Sequence, residues 1–103
     1  MATLAERVHR QLREADLTGG PAFVTALAYL AILPRPQAAA VLEQRVGHLR
    51  EEIRHLEQAT RDAAGPEVHM IEAHYLLSRL RHDADWLEGT ARRIETGDLS
   101  WTH

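Results

Sequence analysis

The chain of 103 residues contains no Cys and no Lys. The first absence excludes disulfides, a thiolate nucleophile and Cys-ligated zinc. The second makes all 12 basic residues Arg, set against 15 acidic ones, for a net charge of −3. A mildly acidic chain lacks the basic excess that independent nucleic-acid binding requires. Aromatic residues are scarce: one Phe, two Trp and two Tyr. Hydrophobic residues make up 45% of the chain, but 16 of them are Ala, so the core is thin. Small domains are marginal even with full-sized cores, and a second copy of the chain is expected to complete this one. The longest apolar run, residues 22–33, contains 12 residues and is too short to span a bilayer. The first ten residues carry Glu6, Arg7 and Arg10 and no apolar h-region of a signal peptide. The expectation is a cytoplasmic protein with no membrane association.

What is present is helical periodicity. Between residues 36 and 64, Leu42, Val46, Leu49, Ile53, Leu56, Thr60 and Ala63 fall at alternating spacings of four and three. This is a heptad seam. Glu43, Gln44, Arg45, His48, Arg50, Glu51, Glu52 and Arg54 lie between its positions and read as a solvated face. Residues 66–96 repeat the spacing with Met70, Ala73, Leu77, Leu80, Ala84, Leu87, Ala91 and Ile94. Gly65 and Pro66 separate the two stretches, a joint that stops one helix and starts the next. So short a connection predicts an antiparallel hairpin. Gly47 and Gly89 interrupt the two helices, and close backbone approach or a nearby ligand is the expected reason.

The remaining elements must pack on that hairpin. Residues 2–15 predict a short amphipathic helix with Leu4, Val8, Leu12 and Ala15 in one stripe, Thr3 as N-cap and Glu6 completing a capping box. Thr18-Gly19-Gly20-Pro21 is turn chemistry. Residues 22–33, from Ala22 and Phe23 through Leu27 to Leu33, are apolar on every face, so this helix is expected to be covered all round. The fold class is therefore all-α: two short helices on a long antiparallel hairpin (about 36–64 and 66–96), one domain over residues 1–103, paired into a dimeric helical bundle. Phe23, Leu27, Leu42, Val46, Leu49, Ile53, Leu56, Leu77, Leu80, Leu87 and Ile94 are the expected packing residues. Gly97 reads as the left-handed residue ending the last helix, with Leu99 and Trp101 in a short tail.

The second long helix carries more apolar surface than one seam needs. Ile71, Tyr75, His82 and Trp86 form a further stripe at spacings of four, seven and four. A partner subunit or a small-molecule pocket would cover it. Seven His residues raise a metal reading, with His48, Glu52 and His55 on one helical face and Glu-x-x-His spacings at Glu52–His55 and Glu6–His9. These residues flank an apolar seam rather than point into it, so no metal site is expected. Ser78 and Ser100 lack nucleophile-elbow context and no Gly-rich phosphate loop is present. Neither a catalytic residue nor a cofactor is expected, and the chain does not read as an enzyme.

Residues 21–101 resemble the C-terminal domain of PadR-family transcriptional regulators, in particular the virulence-activator type. The similarity rests on three stretches. Pro21-Ala22-Phe23-Val24 through Leu33-Pro34 is similar to the apolar helix that opens that domain. Leu42-Glu43-Gln44-Arg45-Val46-Gly47-His48-Leu49 is similar to its first long helix. Asp85-Trp86-Leu87-Glu88 through Gly97-Asp98-Leu99-Ser100-Trp101 is similar to its Trp-containing last helix and ending. Residues 1–20 hold one short helix, similar to the family's connector, with no recognition helix and no wing hairpin. The resemblance implies a dimerisation and effector-sensing domain without direct DNA binding by this chain. It also implies that Trp86 stacks a planar hydrophobic small molecule near the dimer axis; Ile71, Tyr75 and His82 join it because they share its face. Two alternatives remain: a stand-alone protein that sequesters a small molecule, and a truncated paralogue that forms mixed dimers with a full-length PadR-like regulator.

Overall fold

The computed structural model describes residues 2–101; Met1 and the last two tail positions, Thr102 and His103, lie outside the described residues. Among the described residues there are four α-helices and no strand. Helix α1 (Leu4–Glu14) starts where Thr3 places its Oγ1 to accept the Glu6 N–H at 3.1 Å. Val8 and Leu12 are buried, whereas Leu4 at the first turn stays 45% exposed and contributes little to the stripe. Helix α2 (Pro21–Ala28) opens on Pro21 and is shorter than its apolar composition suggests. A single 3₁₀ turn, Leu30–Ile32, replaces its last turn. The cause is Pro34, which disfavours the α conformation at Leu33 and drives that residue to extended backbone (φ −88°, ψ 149°).

Helix α3 (Arg35–Asp62) and helix α4 (Ile71–Thr96) form the hairpin. Their order is antiparallel along the whole length. Arg35 at the start of α3 donates to the Ile94 carbonyl at the end of α4 (3.2 Å). Arg50 pairs with Asp85 and Glu88, and Arg81 with Glu57, each at 2.8 Å. Leu42, Leu49, Leu80 and Leu87 are at most 2% exposed. Full burial of one such side chain contributes about 1.5–3 kcal/mol. Val46, Ile53, Leu77 and Ile94 are buried with them, Phe23 joins from α2, and Leu27 and Leu56 pack half-buried against the cluster. α4 starts later than Pro66: a 3₁₀ turn, Glu67–Met70, precedes it, with the His69 N–H bonded to the Pro66 carbonyl at 3.0 Å. Gly97 (φ +82°) ends α4 in the left-handed region, and Leu99 and Trp101 fold back onto the core.

Three expectations fail within the chain. Helix α2 is not covered all round, since Val24 is 61% and Tyr29 51% exposed. No atom lies within 4 Å of a Cβ built on Gly47 or Gly89, so close backbone approach does not explain either glycine. Arg45, assigned above to the solvated face, is 1% exposed and belongs to the interior.

One like-charge contact crosses the seam. Glu43 of α3 and Glu95 of α4 line one groove with Val46, Arg50, Glu88 and Arg92. A hydrogen bond that the protonated Glu43 carboxyl donates to Glu95, helped by partial desolvation and the neighbouring negative charge, raises Glu43 above its usual range. The shared proton stabilises the fold at low pH, and that contribution is lost as pH rises through the raised folded-state value. Glu43→Gln keeps a hydrogen-bond donor and removes one charge. Its thermal midpoint is therefore expected above that of the parent at pH 7.5, with the gap closing at pH 4; an equal gap at both pH values would contradict the shared proton. Gly47→Ala, in open space on an exposed helix face, is expected to stabilise by about 1 kcal/mol. Urea unfolding followed by circular dichroism measures it.

Candidate functional site

The sequence separates the two short helices by a Gly-containing turn, and that turn lands on α4. Asp16 organises it by accepting the Thr18 N–H at 2.8 Å and the Thr18 hydroxyl at 2.6 Å on one carboxylate oxygen. Those bonds hold the Asp16 carboxyl below its usual range. Gly19 (φ +74°) then lets the chain turn, and a Cβ there would sit 3.5 Å from the Asp83 carboxylate. The outcome is a cleft of about 230 Å³ between α2 and α4, lined by Gly19, Phe23, Val24, Leu27, Arg79, His82, Asp83, Trp86 and Leu87. Its walls are mostly apolar. Arg79, His82 and Asp83 supply its polar groups, a composition typical of small-molecule sites.

The four sequence candidates divide. Trp86 and His82 line the cleft, with Trp86 54% exposed. Tyr75 (64% exposed) and Ile71 (55%) do not line it. They continue the same helical face towards the hairpin tip, where Val68 is also exposed. The Arg79 guanidinium stands 6.0 Å from the Tyr75 ring centroid and connects the two groups of residues. Phe23 and Leu27, counted above as packing residues, also form cleft wall.

Beneath the cleft lies the residue that the spacing argument misplaced. Arg45 donates to the Ala15 carbonyl at 2.8 Å, to the Asp16 carbonyl at 2.7 Å and to the Leu12 carbonyl at 3.4 Å. Its guanidinium stacks on Phe23 at 3.7 Å from the ring centroid. These carbonyls belong to the end of α1, where the helix dipole favours a cation. Burial lowers the Arg45 value, and the negative charges of Asp83 and Asp16 oppose that shift. A signal for this role exists in the sequence. Ala38, Val41 and Arg45 form a line at spacings of three and four beside the heptad seam, and Ala38 and Val41 are fully buried. That line is the second buried face of α3, the one that receives α1.

Elsewhere the ionisable side chains do not converge. Glu52 and His55 approach to 4.0 Å but are 45% and 70% exposed, and among the described residues no group of three His, Asp or Glu gathers to hold a metal ion. Asp85, three residues from His82, pairs with Arg50 across the seam. No helix among the described residues is long and apolar enough to cross a membrane. Comparison with known proteins finds no family model, no curated protein and no solved structure that matches the chain.

Arg45→Met keeps the aliphatic stem and removes the donors, leaving the end of α1 without its cap. A loss of roughly 2–4 kcal/mol is expected, since hydrogen bonds from a charged donor and the desolvated carbonyls both count. Arg54→Met, at an exposed position of the same helix, is expected to stay within about 0.5 kcal/mol of the parent. Equal effects of the two substitutions in denaturant titration would contradict the buried role.

Proposed function

We propose that the chain is the dimerisation and effector-sensing domain of a PadR-like transcriptional regulator, acting in the cytoplasm without catalysis. Two copies pair through the apolar face of α4, and a hydrophobic planar molecule stacks on Trp86 in the α2–α4 cleft. DNA contact belongs to a separate winged helix rather than to these helices. The observation that carries the reading is the continuity of the exposed face. Ile71, Tyr75 and Trp86 lie on one exposed face of the last long helix, with Val68 exposed in the 3₁₀ turn before it, and Trp86 opens directly into the cleft. Apolar patches of this kind on a small protein mark interaction surfaces. The distal part of the hairpin also supports pairing. There Leu56 of α3 is only half-buried, and Val68, Ile71 and Tyr75 are exposed. A second hairpin laid against this one would complete a four-helix arrangement.

The test is molar mass by light scattering over a dilution series, followed by titration of Trp fluorescence with acridine as a planar aromatic probe. A dimer near twice 11.6 kDa that is weakened by Trp86→Ala, with acridine quenching lost in the same variant, is the expected result. A compact monomer that binds acridine would replace it with the stand-alone sequestering protein. A monomer that binds no acridine would overturn both readings. Dissociation of the dimer on mixing with a full-length regulator, with heterodimers in its place, would favour the mixed-dimer paralogue.

A further inference from the structure

The cleft and helix α1 share their supports, although α1 does not line the cleft. Phe23 is the common element: it forms cleft wall and also carries the Arg45 guanidinium on its ring face at 3.7 Å. Arg45 in turn holds the last carbonyls of α1. A second tie runs through the turn itself. Arg79, on the cleft wall, donates to the Thr18 carbonyl at 2.7 Å. Two guanidiniums from two different long helices thus pin the α1–α2 connection, one from below and one from the side. Helix α2 itself buries only Phe23 and Ala26, and its Val24 is 61% exposed.

We infer that the α1–α2 turn is a mechanical relay in which occupation of the Trp86 cleft releases the end of α1. A planar group wedged between α2 and Trp86 displaces Phe23, because that side chain forms cleft wall and carries the Arg45 guanidinium on its ring face. Displacing Phe23 removes the flat surface on which Arg45 is oriented. The guanidinium then loses its aligned bonds to the Leu12, Ala15 and Asp16 carbonyls, and the last turn of α1 frays. The relay requires neither a regulator nor a dimer, only the geometry of the single chain.

The absence of Cys permits a test with an occupant of defined position and stoichiometry. Val24→Cys places one thiol on the cleft wall, and alkylation with monobromobimane attaches a planar bicycle there. Glu51→Cys, at an exposed position of α3, carries the same adduct away from the cleft. Hydrogen exchange of the amides of residues 12–15 is compared before and after alkylation. It is expected to rise roughly tenfold in the Val24→Cys adduct, which is what the loss of one charge-assisted hydrogen bond is worth, and to stay unchanged in the Glu51→Cys adduct. Unchanged exchange in the Val24→Cys adduct overturns the relay. Arg45→Lys, which cannot stack flat or bond three carbonyls in a fork, provides the second arm. With the clamp already loosened, alkylation is expected to add little. An equal increment in the parent and Arg45→Lys backgrounds overturns the relay too, because it would show α1 responding by another route, such as loss of subunit pairing.

Discussion

The seating of the short helices depends on one buried cation. Arg45 sits in the interior and brings its counter-groups from elsewhere in the chain: three carbonyls at the end of α1, the face of Phe23, and the field of Asp16 and Asp83. A charge buried this deeply is tolerated because its donors are met and opposite charges stand near. Lys could not serve there. An ammonium is a point charge and reaches one or two carbonyls, whereas the planar fork bonds several and stacks at the same time. The all-arginine composition recurs in this way across the fold. Arg35 caps the end of α4, Arg79 holds the turn before α2, and Arg50 bridges two acids across the seam.

The hairpin is held differently, by leucine layers along a regular seam, and it is the rigid frame. What it leaves uncovered follows from the count of helices. One short pair can cover one half of a hairpin this long; the other half shows its apolar face. The cleft arises between α2 and α4, where Trp86 is left half-exposed. Binding surface and packing shortage thus have one physical origin.

The hairpin was legible in the sequence because Leu, Val and Ile at spacings of three and four admit few other structures, and Gly97 announced its own end. The end of α2 was not legible, since a stretch apolar on every face carries no period to show where it changes its winding; Pro34 acts one residue before itself. The start of α4 was obscured because a 3₁₀ turn and a first helical turn share the same residue preferences. Arg45 was hidden by its charge, which reads as surface unless the buried line Ala38–Val41 beside it is noticed. The cleft was half legible. Trp86 and His82 stood out on the stripe, but Gly19, Arg79 and Asp83 become neighbours only through the turn that brings α2 across α4, and no local pattern encodes that meeting.

The ends of the described chain lie close together at one end of the rod. Ala2 and Thr3 share a groove with Gln37 near the start of α3, and the end of α4 is held there by Arg35. The hairpin tip at Gly65 is at the opposite end of a body 54 Å long. Traction between the start of α3 and the end of α4 therefore opens the leucine layers one after another from the base, as a zipper opens. A rod of the same length with its ends at opposite poles would have to shear every layer at once. Traction at its base is thus the load that this hairpin resists least.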